Sequence, residues 1–471
     1  VPVVAAVPAG AAGDPEIRSV VHDTRAVGPG ALFCCVRGSR VDGHDLAADA
    51  LAAGAAALLV ERELDVPVPQ LVVPDVRAAL GPVAAAFWGH PSHDLAVVGV
   101  TGTSGKTTVT HLVRAVLEAA GLPCAVIGTL SGARTTPEGP ELQAQLAAER
   151  DAGRRAVAME VSSHGLDLHR VDATRFAVAV FTNLSHDHLD FHRTMEAYFD
   201  AKARLFTPGF TRRAVVCADD AWGRRLAARI AAAGTGVEVH PYGLADAADL
   251  RTGPDGATFA WRGHPVQLRL AGRFNVTNAL AAATAAALLD VPDDVVARGL
   301  SVAEPVPGRF EAVAAGQPFT VLVDYAHKPD ALDQALASAR ELVGPGGRLA
   351  VVFGCGGDKD TAKRPVMGEV AARRADRVVI TSDNPRSEDP RAIISDVQNG
   401  VPPGASVVAE PDRGRAIELA VREARPGDVV LIAGKGHETT QVIGREQIPF
   451  DDRAVAREVL AATGVTGERE T

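Results

Sequence analysis

The sequence predicts an α/β protein of three domains, and three observations carry that prediction. A short apolar run at residues 95–100 feeds a glycine-bearing turn that passes directly into a helical pattern at Val109, Leu112, Val113, Val116 and Leu117. Similar apolar runs recur between helical stretches almost to the end of the chain, as parallel strands covered on both faces would require. Two stretches punctuated by proline and glycine, Gly89-His90-Pro91-Ser92 and residues 303–308, read as linkers. They divide the chain into residues 1–88, 89–303 and 304–471, and 471 residues are too many for a single core.

In the first segment, residues 31–36 and 57–60 read as buried strands flanking an Ala-rich helix. A short strand at 71–73 and a helix at 76–88 follow. The middle segment has candidate strands at 95–100, 124–127, 156–159, 177–181 and 213–217, and Gly272-Arg273-Phe274-Asn275 opens a long Ala-rich helix. The last segment resumes the rhythm with strands at 320–324, 349–353, 377–380, 406–409 and 429–432. Ligands of such sheets collect at the carboxyl ends of the strands, so the residues just after each run are the ones to inspect.

Bulk properties narrow the function classes. A hydrophobic content of 47% with 23% charged residues describes a soluble globular chain. The formal charge of −10 argues against nucleic-acid binding, while a local cradle can still hold an anion. The five cysteines are scattered without a C-x-x-C, which points to reduced thiols in a cytoplasmic protein. No apolar run reaches the roughly 18 residues of a membrane span, and no targeting leader or membrane insertion is expected.

Gly102-Thr103-Ser104-Gly105-Lys106-Thr107-Thr108 is the stretch with the most specific chemistry. Glycines let backbone wrap phosphate, and the amides and dipole of the following helix favour negative charge. Lys106 can reach terminal phosphates and the Thr107 hydroxyl can serve Mg²⁺, so the stretch reads as an ATP site. Glu160, Asp187, His188 and Asp190 are hard donors near strand ends, of the kind a phosphate-bound magnesium needs. On local grounds Asp190 reads equally as a surface carboxylate, Lys202 as a solvated helix lysine, and Arg386 as an ordinary loop arginine. Ser162-Ser163-His164 lacks a nucleophile elbow and does not read as a hydrolase site.

In these motifs and those that follow, the chain resembles the Mur ligases, ATP-dependent amide-forming enzymes of peptidoglycan precursor synthesis. Within them it is similar to the type that extends UDP-N-acetylmuramoyl-L-alanyl-D-glutamate. The motifs lie in order from Asp23-Thr24-Arg25 to Phe450-Asp451-Asp452-Arg453: GTSGKTT (102–108), TTPE (135–138), MEVSSHGL (159–166), TNLSHDHLDFH (182–192), GRFNVTNALAA (272–282), PGRFE (307–311), DYAHKPDAL (324–332), GCGGDKD (354–360), KRPVMG (363–368), SDNPRSEDP (382–390) and AGKGHE (433–438). The resemblance implies a uridine-nucleotide-binding first domain, a central P-loop ATPase domain and a C-terminal Rossmann-like domain that receives the amino acid.

It also implies roles. Gly102, Thr103, Ser104, Gly105, Lys106, Thr107 and Thr108 would hold the ATP phosphates, with Asn275, Asn278, Arg309 and Asp324 around base and ribose. Thr107, Glu160 and His188 would serve magnesium, and Lys202 falls where the family carries a carbamylated lysine. Thr24, Thr135, Thr136, Ser162 and Arg170 would hold the UDP-muramoyl-dipeptide. Lys359, Asp383, Asn384, Pro385, Arg386, Gly434 and Glu438 would hold the added amino acid, meso-2,6-diaminopimelate by the form of the Asp-Asn-Pro-Arg tetrad. Two departures bear on that preference: Lys359 replaces a usual arginine, and Leu168 stands where some members are polar. L-Lysine or another diamino acid, a folylpolyglutamate-synthetase-like reaction, and a nucleotide-gated switch are the alternatives. A monomer working on small molecules, without nucleic acid, is expected.

Overall fold

The computed structural model describes residues 5–7, 15–38 and 41–462. Contacts divide the chain into two compact units, Val1–Gly243 with Ala281–Val296, and Leu244–Leu280 with Ala297–Thr471.

The first unit holds two sheets. Strands β1 (Ala5–Val7), β2 (Ser19–Val21), β3 (Ala31–Cys34), β4 (Ala55–Val60) and β5 (Gln70–Val72) pair in the order β1-β5-β4-β3-β2, with only β1 antiparallel. Helices α1 (Ala47–Ala52) and α2 (Val76–Phe87) accompany them. The second sheet comprises β6 (Ala96–Thr101), β7 (Cys124–Ile127), β8 (Ala156–Glu160), β9 (Val178–Phe181), β10 (Arg213–Cys217) and β11 (Glu238–Tyr242). It is wholly parallel in the order β11-β10-β9-β6-β8-β7. The winding reverses at β6, with β7 and β8 on one side and β9 to β11 on the other. That reversal opens a crevice at the carboxyl end of β6, where doubly wound sheets bind ligands. The intervening helices are α3 (Lys106–Ala119), α4 (Gly139–Asp151), α5 (Ser163–Asp167), α6 (Leu189–His192), α7 (Met195–Ala203) and α8 (Ala221–Ala233).

The residues of the first expected linker are tied to their neighbours. Pro91–His93 forms a single tight turn, and buried Ser92 accepts a hydrogen bond from the Arg175 amide at 3.0 Å. Arg150 donates to the Trp88 carbonyl, and α2 lies against α4.

The second unit begins with an antiparallel sheet that the sequence reading missed: β12 (Ala247–Gly253), β13 (Gly256–Trp261) and β14 (His264–Leu268). Helices α9 (Arg273–Ala287) and α10 (Asp293–Val302) follow in the chain, their residues 281–296 belonging to the first unit. Strands β15 (Glu311–Ala312), β16 (Thr320–Asp324), β17 (Leu349–Phe353), β18 (Arg377–Ile380), β19 (Val407–Ala409) and β20 (Val429–Ala433) then build a sheet in the order β15-β16-β20-β17-β18-β19, parallel apart from β15. Alternation along these strands splits their side chains between two cores. Val351, Phe353 and Leu431 meet α11 (Pro329–Arg340), α12 (Lys363–Arg374) and α13 (Pro390–Gln398). Val352, Val430 and Ile432 meet α14 (Arg413–Glu423) and α15 (Asp452–Ala462). A hairpin of β21 (Thr440–Ile443) and β22 (Glu446–Pro449) precedes α15.

Both helices of the second core begin at one buried ion pair. Arg413 Nε and Nη2 donate to the Asp452 carboxylate at 2.7 and 2.8 Å, and the guanidinium also reaches the Ser382 and Ala433 carbonyls at the ends of β18 and β20. Neither side chain touches solvent. Asp452→Ala leaves an unpaired cation inside, and the expected loss is about 3–5 kcal/mol, read as a drop in the denaturation midpoint.

Candidate functional site

The glycine-bearing loop lies at the carboxyl end of β6, as the strand-turn-helix pattern required. Gly102 has a φ of +149°, and a Cβ there would overlap the Thr182 hydroxyl, so only glycine fits. The residues following β9 clamp the loop from outside. Thr103 N donates to Asn183 O and Ser104 N to Asn183 Oδ1, both at 2.9 Å, and Thr182 Oγ1 donates to Ser104 O at 2.7 Å. Lys106 opens α3 and donates to the Gly102 and Thr103 carbonyls at 2.9 Å each. Thr107 and Thr108 are buried in the first turn.

Glu160, at the carboxyl end of β8, is 1% exposed. Its Oε1 accepts from Thr107 Oγ1 at 3.0 Å and from Thr129 N at 2.8 Å, and its Oε2 from Thr129 Oγ1 at 3.2 Å. Thr129 Oγ1 lies 3.1 Å from Thr135 Oγ1, so one hydrogen-bonded chain through the Glu160 carboxylate connects Thr135 to the first turn of α3. The Thr136 hydroxyl lies 3.0 Å from both Glu160 O and Ser162 Oγ. Ser162 caps α5 by accepting from Gly165 N, which gives this serine a structural task. Arg170 reaches Glu138 Oε1 at 2.8 Å and Thr136 O at 3.3 Å, and burial pulls its pKa down against the carboxylate's opposition. Thr24 stands apart from this group, half-buried in the short turn Thr24–Ala26 beside the first sheet.

Lys202 overturns its reading as a solvated helix lysine: it is 1% exposed. Its ammonium donates to Gly102 O at 2.9 Å, lies 3.5 Å from Thr101 Oγ1, and sits 4.7 Å above the Tyr198 ring. Tyr198 Oη lies 3.2 Å from Thr103 Oγ1, a contact no local pattern announces. His188 opens α6 at a φ of +53°, with Nε2 3.3 Å from Asp187 Oδ2 and its ring 4.7 Å from that of His164. Asp190 is exposed.

Among the described residues no three His, Cys, Asp or Glu side chains are grouped to hold a metal by themselves. The Thr107 and Glu160 oxygens, 3.0 Å apart beside the phosphate loop, nevertheless fit a hard cation that draws its remaining ligands from phosphate and water.

The other expected residues fall in the second unit. Asn275 and Asn278 are buried in α9, where Asn275 Nδ2 donates to Ala271 O and Asn278 Nδ2 to Asn275 Oδ1. Asp324 ends β16 and accepts from Phe310 N and Ala326 N at 2.8 and 2.9 Å. Burial raises its pKa against the pull of Arg309, whose guanidinium lies 4.7 Å over the Tyr325 ring.

The Asp383-Asn384-Pro385-Arg386 tetrad follows β18 closely. Asp383 is buried, and its pKa is raised by that burial despite Arg413 and Lys435 nearby. Asn384 Nδ2 donates to Glu438 Oε2 at 2.8 Å. Arg386, at a φ of +51°, donates from Nη1 to Gly357 O at 2.8 Å, and its backbone joins β21. Gly434, after β20, has a φ of +114°, and a Cβ there would crowd Asp383 Oδ2. Lys359 is exposed on the loop after β17. Glu438 keeps a lowered pKa: burial raises it, but the hydrogen bonds from Lys435 and Asn384 prevail.

Profiles of known families match along the chain: "Mur ligase family, catalytic domain" at residues 16–88, "Mur ligase middle domain" at 100–286 and "Mur ligase, glutamate ligase domain" at 308–436. The UDP-N-acetylmuramoyl-L-alanyl-D-glutamate–2,6-diaminopimelate ligase of Synechococcus elongatus is 46% identical over 480 residues, covering 96% of each chain. The protein of the same name from Streptomyces coelicolor is also 46% identical, over 96% of this chain and 94% of its own. A solved structure of a ligase so named is similar with a TM-score of 0.69 at 35% identity, covering 95% of both chains.

One pH effect follows from this loop region. Burial, aided by Lys328, drops the His327 pKa from 6.5 to about 4. Between those values the unfolded chain binds more protons than the folded one, so stability is full above pH 6.5 and is lost as pH falls toward 4. The loss attributable to this imidazole is about 3 kcal/mol. Chemical denaturation across that range is expected to show a flatter pH dependence in His327→Asn than in the native chain.

Proposed function

The chain belongs to the Mur ligase family, and on that premise we propose that it joins meso-2,6-diaminopimelate to UDP-N-acetylmuramoyl-L-alanyl-D-glutamate at the expense of ATP. The observation that carries this reading is the pairing of two sites of opposite polarity on one chain. A glycine-bearing loop is backed by Glu160 and Lys202, and a carboxylate at Glu438 is held by Asn384, in the tetrad that also carries Arg386.

A carboxylate and an amine do not condense in water without activation. In the proposed reaction an oxygen of the D-glutamate γ-carboxylate attacks the γ-phosphorus of ATP, and the bond to the ADP oxygen breaks. The resulting acyl phosphate is attacked by the diaminopimelate amine. The tetrahedral adduct expels phosphate, the nitrogen loses a proton, and amide, ADP and phosphate result. Phosphoryl transfer is mainly positioning and electrostatics, which the loop amides and Lys106 supply. Thr107 and Glu160, with His188, would hold Mg²⁺, whose charge would offset that building on the phosphate oxygens. Lys202 would act as a carbamate: after its ammonium gives up a proton, the free amine would add to the CO₂ carbon and lose a second proton, leaving a buried carboxylate suited to a second cation.

Thr135, Thr136, Ser162 and Arg170 would bind the muramoyl-dipeptide, and Thr24 its uridine nucleotide. Asn275, Asn278, Arg309 and Asp324 would bind the adenosine part. Arg386, with a planar two-pronged donor, would take the carboxylate that distinguishes diaminopimelate from lysine. Asp383, Asn384, Pro385, Gly434 and Glu438 would complete that pocket, with Lys359 offering a single-point charge. We place this monomer in the cytoplasm, a setting that suits five free, buried thiols. Among the described residues no helix is long and apolar enough to cross a membrane.

Phosphate release from ATP, given UDP-muramoyl-dipeptide, magnesium and a panel of amino acids, tests the proposal. Stimulation by meso-diaminopimelate above L-lysine is expected, and absence of any amine-stimulated release defeats it. In the same assay Lys202→Ala is expected to be nearly inactive and to recover with short carboxylic acids. Arg386→Ala is expected to raise the KM for diaminopimelate by about tenfold to a hundredfold, the value of one charge-assisted contact, with the KM for ATP little changed.

A further inference from the structure

Lys435 is wholly buried between two glycines in the loop after β20, beside the proposed amino-acid-binding residues but not one of them. Its three donors are all in use. Nζ reaches Glu438 Oε2 at 2.9 Å, Asn384 Oδ1 at 3.2 Å and the Thr440 carbonyl at 2.7 Å. Asn384 completes a triangle by donating its own Nδ2 to the same Glu438 oxygen, while its Oδ1 also accepts from Val442 N. Glu438 Oε2 therefore receives two donors from within the protein. Oε1 has no hydrogen-bond partner among the described residues, and the side chain is about one-third exposed.

A buried ammonium is costly, and a buried ion pair is a poor device for stability alone. Here the triangle fixes one face of a carboxylate and turns the other outward. An acceptor so presented suits an ammonium or amide donor of a ligand.

We infer that Lys435 is a positioning residue for the incoming diamino acid, holding Glu438 and Asn384 so that Glu438 Oε1 presents a fixed anionic acceptor to the ligand's ammonium group. This rests on the reading of Glu438 and Asn384 as amino-acid-binding residues. Lys435 touches no substrate itself and acts through those two side chains. The other titratable groups facing Glu438 are His437, Asp383, Tyr325 and Arg413.

The test compares the native enzyme with Lys435→Met and Lys435→Gln, the latter keeping a neutral donor, in the phosphate-release assay with meso-diaminopimelate. Both are expected to raise the KM for diaminopimelate by about tenfold or more, with the KM values for ATP and UDP-muramoyl-dipeptide within about twofold of native. The acid limb of kcat/KM for the amine should move to higher pH, because Glu438 loses the cation that keeps it ionised. In a Glu438→Gln background, Lys435→Met should add little, as two members of one network are not additive. Equal losses for all three substrates, an unmoved acid limb, additive effects, or failure of both variants to fold would each overturn the inference in favour of a merely structural lysine. If native enzyme shows no amine-stimulated release, the reading of the site itself has failed, which is a different result.

Discussion

Glu160 is a carboxylate withdrawn from water, and the first unit closes around the donors that reach it. Thr107 comes from the first turn of α3, and Thr129 from the loop after β7, contributing both amide and hydroxyl. A buried carboxylate left without such partners would cost several kcal/mol, so the ends of β7 and β8 and the start of α3 are held in mutual register by this requirement. The parallel sheet makes the convergence possible, since it brings every strand to the same edge carboxyl end first. The phosphate loop is then fixed on its far side by the Thr182 and Asn183 contacts after β9. A loop clamped on two sides is already shaped for an anion, and little order need be gained on binding.

The second unit solves a related problem with cations. Arg413 and Lys435 are both inaccessible, and each has carbonyl and carboxylate oxygens around it. Arg413 meets strand ends and the two helix starts of one core, which identifies it with the architecture. Lys435 instead meets the Glu438 and Asn384 side chains, on loops that follow β20 and β18. The same physical expense serves a scaffold in the first case and the orientation of a partly open carboxylate in the second.

How much of this was legible in the sequence depends on how local each feature is. The glycine-bearing loop at the end of β6 was readable because strand, glycine turn and helix are adjacent in the chain, and the apolar runs of both parallel sheets stood out for the same reason. The β12–β14 sheet was missed although Ala257, Phe259 and Trp261 alternate with more exposed neighbours, and an Asp255-Gly256 pair marks its first turn. The β21–β22 hairpin carried only a two-residue Gly444-Arg445 turn as its sign. Lys202 could not be read locally, because its burial comes from α7 lying against the end of β6, about a hundred residues away. Thr129 and Tyr198 offered no pattern beyond position, since each acts across the fold. The resemblance to a family supplied roles for Lys202, Arg170 and Asn275 that spacing alone left open.

The division of charge between the units follows from the chemistry they are proposed to share. Activating a carboxylate places negative charge on phosphate oxygens, which calls for amides, an ammonium and hard-oxygen donors to a cation, the set gathered around Gly102 to Thr108 and Glu160. Selecting a diamino acid calls for the reverse: a carboxylate kept ionised for an ammonium and a guanidinium for a carboxylate. Glu438 keeps its charge in a partly buried setting because Lys435 and Asn384 donate to it. Removing Lys435 would leave a carboxylate drawn toward its neutral form, unable to attract a cation, and removing Glu438 would leave the buried ammonium with only the neutral Asn384 and Thr440 oxygens. The polarity of the second site is therefore set behind the residue that displays it.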